Sequence, residues 1–167
     1  MMTVFANIEQ TAFSVWVRES PSLLGFPFIL YLHTLGLAML AGISVGIDVW
    51  LLNAKSHIPA VRQGVYQVMW LGFGINALSG LALLAAYPAK ALTNWVFFAK
   101  LALIAAAMWV LELTKGELAA ADRSGAAVVS PRLRRLAMLS LVLWGMVVFA
   151  GRFLAYTHSI LLASEGF

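Results

Sequence analysis

LLGFPFILYLHTLGLAMLAGISVGIDVWLL, residues 23–52, decides the fold. It carries no charge until Asp48, near its end. A helix needs ~20 predominantly apolar residues to cross a bilayer, and this run exceeds that. Three further runs do the same: 65–87, which stops at Pro88, 92–114 and 136–162. Lipid offers the backbone no hydrogen bonds, so each span must satisfy its own, and a helix does this. The alternating pattern of a membrane barrel is missing. The expected architecture is all-α: an up-down four-helix transmembrane bundle forming one domain over residues 1–167.

Composition agrees. The chain is 62% hydrophobic and 11% charged, whereas a soluble domain is about 25% charged. The net charge of +4 comes from cations between the apolar runs, where they set topology, so it is not a nucleic-acid signature. There are no cysteines, which excludes disulfides, covalent c-type haem attachment, iron–sulfur clusters and thiolate metal sites. Phosphate loops, Ser-His-Asp sets, paired intramembrane carboxylates and voltage-sensor arginine repeats are also missing, so hydrolase and kinase readings have no support.

Residues 1–20 lack the basic start and apolar run of a cleavable signal. Phe5, Ile8, Ala12, Val15 and Trp16 recur at helical spacing among polar residues. This predicts an amphipathic helix over 4–19 lying at the membrane surface. Ser20-Pro21 reads as the start of the first span. Lys55 and Arg62 fall in the first–second connection, and Lys115, Arg123, Arg132, Arg134 and Arg135 in the third–fourth; the other side holds Arg18 and Lys90. The positive-inside rule then places the long connections in the cytoplasm and both termini outside, which is the periplasm for a bacterial inner-membrane protein. Residues 115–131 read as the one linker-like stretch.

Each span carries a polar residue at similar depth: His33, Asn76, Lys100 and Arg152. At ~1.5 Å per residue they lie roughly 12–16 Å from the outer ends of their helices. Intramembrane ionisable groups are expensive and mark functional sites by default. Two of these four are cations. The spans' own acids, Asp48 and Glu112, lie near the cytoplasmic ends, where Glu112 can pair with Lys115 and Asp48 can meet the basic loops.

An anionic or strongly polar ligand would resolve this. Haem b is the most specific candidate, with His33 and His158 as axial ligands and Lys100 and Arg152 balancing the propionates. Tyr156 shares a face with Arg152 at i+4. His158 lies roughly 8 Å shallower than His33, so joint ligation would require a tilted macrocycle. A quinone is a second candidate, hydrogen-bonded by Asn76, His33 and Lys100. Copper competes: Met39, Met69, Met108 and Met146 fall one per span, and thioether with imidazole suits Cu(I). Methionine is equally an ordinary gap-filler. In a fourth reading the layer is met by lipid, water and snorkelling side chains, and the chain is a cofactor-free scaffold.

Glycines dot the spans (Gly36, Gly42, Gly46, Gly72, Gly74, Gly80, Gly145 and Gly151), where they allow close helix approach or leave room for a flat cofactor. Trp50, Trp70, Trp95 and Trp109 read as interfacial belt residues, and the deeper Trp144 as packing.

Three segments, FPFILYLHTLGLAMLAGISVGIDVWLL, WVFFAKLALIAAAMWVLEL and GRFLAYTHS, together resemble a group of bacterial four-helix membrane proteins. The group includes the copper-resistance D-type domain and cytochrome-b-like bundles. The resemblance implies a redox-cofactor or metal-handling role, with His33 and His158 where such bundles place ligands. It also implies other membrane or periplasmic subunits as partners, besides the lipid bilayer. A second histidine pair is missing, which argues against a two-haem electron wire. The leading expectation is a haem-b electron-transfer subunit working between quinone and a partner redox protein.

Overall fold

The computed structural model describes residues 8–54, 61, 63–125 and 128–164, with the side chains of Lys90 and of 155–164 outside the description. Four helices in it are long and apolar enough to span a membrane: Phe26–Asn53, Gln63–Ala86, Trp95–Arg123 and Pro131–Leu154 within a longer helix. The chain is an all-α four-helix bundle, and no strand occurs among the described residues. Large apolar side chains such as Leu71, Leu78, Trp109 and Phe149 point outward. A soluble fold would bury such residues; in a bilayer they face lipid.

Local chemistry sets the boundaries and revises several expected ones. A short first helix, α1 (Ala12–Glu19), is capped by Thr11, whose hydroxyl accepts from the Ser14 N–H. Helicity over 4–19 therefore breaks at the cap, and residues 1–7 lie outside the description. Nor is α1 solely a surface element. Ser14 and Val17 are buried against the second span, while Phe13 and Trp16 face outward.

The first span is α2 (Phe26–Leu37), a π-helical stretch Ala38–Gly42, and α3 (Ile43–Asn53). It begins at Phe26 and not near Ser20-Pro21, because Gly25 caps it and Pro27 occupies its first turn. The second span is α4 (Gln63–Ala86), and a short α5 (Pro88–Leu92) follows it. Pro88 disfavours helix at the residue before it, so α4 stops at Ala86.

The third span, α6 (Trp95–Arg123), is capped by Asn94, whose side chain accepts from Val96 N–H. It runs well past residue 114, so Lys115 and Arg123 sit on a helix, not in a linker. It ends at Gly125, whose φ of +64° is a conformation that glycine adopts without strain. The fourth span belongs to α7 (Pro131–Ser164), which starts before the expected residue 136 because Ser130 caps Leu133 and Pro131 opens the helix.

An arginine at each end does structural work that charge counting overlooks. Arg18 donates to the carbonyl of Ala86 at 2.9 Å, and Ser14 donates to that of Ala85 at 2.7 Å. Arg134 donates to the carbonyls of Leu52 and Ala54 at 3.0 and 2.9 Å. Each arginine thus closes the C-terminus of a span, where carbonyls lack helical partners and the dipole favours a cation.

The bundle is two hairpin-like pairs that meet unevenly along their length. Near the end that holds Phe26, Ala86 and Trp95 (the terminal end), α2 packs on α4, and Val17, Ile29 and Ala86 form a small core without α6 or α7. At mid-depth a shared core of Leu40, Ala41, Met69, Ala107, Leu111, Trp144 and Val147 joins all four spans. Toward the other, basic end, α3 packs on α7 through Leu51, Leu133 and Ala137, and Leu118 of α6 joins this core. The first span therefore belongs to one pair in its first half and to the other in its second.

Candidate functional site

The crossing of α2 and α4 is built on two glycines. A Cβ on Gly36 would lie 2.6 Å from the backbone nitrogen of Asn76 and 2.7 Å from the Gly72 carbonyl oxygen. A Cβ on Gly72 would lie 2.7 Å from Met39 Cβ. Only hydrogen at both positions lets the backbones approach this closely. Gly42, Gly46, Gly74 and Gly145 have open space around them, so the packing role falls to two of the glycines and not to all.

That close approach brings His33 and Asn76 together. The Asn76 side-chain amide donates to the His33 carbonyl at 2.7 Å, and His33 Nδ1 lies 3.0 Å from the Asn76 carbonyl oxygen. The Ser79 hydroxyl, 3.2 Å from Nδ1, has its hydrogen directed at the carbonyls of Ile75 and Asn76. A carbonyl only accepts, so Nδ1 must carry the proton and donate. In neutral His33 the lone pair then sits on Nε2, which has no hydrogen-bond partner among the described residues. The ring lies against Gly80, where a Cβ would meet Cε1 at 3.2 Å.

Lys100 comes to this level from the other pair. Its ammonium end lies over Gly151, with Cε and Nζ each 3.8 Å from where a Cβ would sit. It is close enough to interact electrostatically with His33. Among the described residues it has no ion pair or hydrogen bond, since the two described salt bridges, Lys115–Glu112 at 3.4 Å and Arg132–Glu117 at 3.1 Å, lie toward the basic end.

The four-residue layer is thus regrouped. His33 and Asn76 interlock, and Lys100 faces them across a part of the bundle where no buried apolar core joins the pairs. Arg152 is exposed and stands outside this group. Asn76 is a positioning residue whose amide nitrogen donates to His33. Tyr156 and His158 lie on α7, and their side chains fall outside the described residues.

Other expectations also move. Asp48 has no ion pair with the basic loops among the described residues. It is buried at 2% exposure beside Ser140. The methionines do not form a layer, because Met69 is in the core and Met146 is 49% exposed on the outside. No group of three or more histidines and acids that could hold a metal occurs among the described residues. Glu112 pairs with Lys115 as expected, Trp50, Trp70, Trp95 and Trp109 are exposed, and Trp144 is buried.

Ser79, which shares the His33 ring nitrogen, escapes a reading based on charge alone. Its signal was present: Gly72, Asn76 and Gly80 are spaced by four, and Ser79 adjoins them on a span otherwise apolar.

Comparison with protein-family models, with curated proteins and with solved structures finds no match. The resemblance to the copper-resistance and cytochrome-b-like bundles gains no support from them, and the site stands on its own atoms.

Two features of these atoms bear on whether a cofactor could be held here. Metal-bound histidines characteristically donate their second ring N–H to a carbonyl or carboxylate, which fixes the tautomer and ring orientation. His33 already does so. Lys100 supplies a cation without a partner among the described residues at the same level, which suits a propionate.

Proposed function

We propose that the chain is a haem-b-carrying electron-transfer subunit of a bacterial inner membrane, with both termini in the periplasm. The observation that carries this reading is the His33 tautomer: Nδ1–H is held by the Asn76 carbonyl, and Nε2 is left with a lone pair and no partner among the described residues. A structural histidine in an apolar span would be expected to use both nitrogens.

In this reading His33 holds the iron, Asn76 and Ser79 orient the imidazole, and Lys100 receives a propionate. Arg152, exposed on α7, takes no part in it, and His158 is the candidate second ligand. Bound haem supplies a one-electron couple. The chain's own part is to fix the ligand nitrogen and neutralise a carboxylate. Electrons would pass between membrane quinone and a periplasmic or membrane-bound partner.

An absorption spectrum of protein purified from haem-replete cells tests this. A Soret band that is lost in His33→Ala and weakened in Lys100→Met is expected. His158→Ala separates one axial histidine from two by its effect on the reduced spectrum. A wild-type preparation without a Soret band overturns the proposal, as does a band unchanged in His33→Ala.

A further inference from the structure

A second polar group lies at the opposite half of the bundle, in the seam between α3 and α7. Trp144 Nε1–H donates to Ser44 Oγ at 3.0 Å, and Ser44 Oγ lies 3.4 Å from Ser140 Oγ. Ser140 in turn lies beside the Asp48 side chain. Ser44, Asp48, Ser140 and Trp144 are each 2% exposed or less. Because the indole can only donate, each hydroxyl in the chain can accept from one neighbour and donate to the next. The series therefore runs from Trp144 toward the carboxyl group. It ends there unfinished: Asp48 Oδ2 is buried and has no partner among the described residues.

An ionised carboxylate has about four acceptor sites to satisfy, and here Oδ2 meets no donor among the described residues. Burying an unpaired ion costs several kcal/mol, far more than burying the neutral acid. Among the described residues, the charged groups on α6 and α7 toward the basic end are exposed at the surface or committed elsewhere. Arg134 of α7 donates to the Leu52 and Ala54 carbonyls. Lys115 of α6 pairs with Glu112 and lies over the Tyr66 ring of α4 at 5.2 Å from its centroid. Glu117 of α6 receives Arg132. Asp48 thus has no ion pair among the described residues, and a single positive charge is what the site lacks. Exposed Asn53, at the end of the same helix, is only about 7 Å away along the axis at the helical rise, so protons from water at the basic end have a short route.

The geometry points to Asp48 as an exchangeable proton site: the folded chain holds it as the neutral acid at the end of the Trp144–Ser44–Ser140 series, and loss of that proton opens the α3–α7 seam. The reaction is proton binding alone, with the proton drawn from and returned to water at the basic end. It does not rest on the haem reading.

The test is infrared spectroscopy of the protein in lipid nanodiscs, titrated from acid to alkali in potassium-free and sodium-free buffer. Wild type should show a protonated-carboxyl band, shifted in D2O, that disappears with rising pH and is absent from Asp48→Asn. Tryptophan emission should move to longer wavelength over the same range, but not in Asp48→Asn or Trp144→Phe. Ser140→Ala, which keeps the carboxyl, should move the titration midpoint; it also serves if Asp48→Asn does not fold. A carboxyl that stays ionised throughout, a midpoint unmoved by Ser140→Ala, or a signal that follows added sodium and not pH would each overturn the proposal.

Discussion

Replacing Gly36 with alanine tests the idea that two backbones in contact hold His33 in place. The added methyl would sit 2.6 Å from the Asn76 nitrogen and 2.7 Å from the Gly72 oxygen, where ordinary contact begins at 3.4 Å. Both obstacles are backbone, so no side chain can swing aside. The helices must part by about 0.8 Å at this point, the difference between those distances. The His33–Asn76 bond, now 3.0 Å, would then stretch beyond the range in which a hydrogen bond counts. Forcing extra volume into a packed contact costs about 1–3 kcal/mol. Each interhelical hydrogen bond lost adds roughly 0.6 kcal/mol, the average found in membrane proteins. With two such bonds at risk, the expected loss is about 2–4 kcal/mol.

Reversible unfolding in mixed micelles measures this, with Gly42→Ala and Gly46→Ala as controls. Both controls sit in helical backbone with open space around them, so alanine there should leave stability within about 0.5 kcal/mol or improve it through better helix propensity. If Gly36→Ala unfolds no more easily than Gly42→Ala, the close crossing does not hold the two spans together.

Two further substitutions read the helix ends. Arg134→Ala removes two charge-assisted hydrogen bonds to the Leu52 and Ala54 carbonyls; it should cost about 1.5–3 kcal/mol and speed amide exchange at the end of α3. Lys115→Ala removes an ion pair whose side chains are 42% and 45% exposed; unfolding should shift by less than about 1 kcal/mol, because solvent screens such pairs. A Lys115 effect as large as that of Arg134 would contradict this assignment of roles.

The four spans were legible because lipid demands long apolar helices and hydropathy registers them directly. Their ends were less so. Pro27, Asn94 and Ser130 set boundaries through single hydrogen bonds or ring sterics, and these weigh little against a long apolar window. The depth coincidence of His33, Asn76 and Lys100 was also legible, since rise per residue converts sequence into height. Azimuth was not: small errors in pitch accumulate, and a π-helical turn shifts phase without any compositional mark. Arg152 therefore counted with the layer although it faces outward. Asp48 was assigned to the basic loops although Ser44, one turn earlier on the same face, pointed to a polar seam.

The π-helical stretch Ala38–Gly42 accommodates one residue more than an α-helix would in the same rise. The buried positions Gly36, Leu40, Ser44 and Asp48 recur at intervals of four across it. Deleting a single residue within the stretch would leave plain α-helix in which Gly36 and Asp48, then about eleven residues apart, still share a face, about 20° from three full turns. A residue lost between Ile43 and Ile47 would instead turn Asp48 away from Ser140 by about 100° while His33 stayed in register with Asn76. In genetic terms the stretch is a buffer: it tolerates a change of length that the plain helix beside it does not.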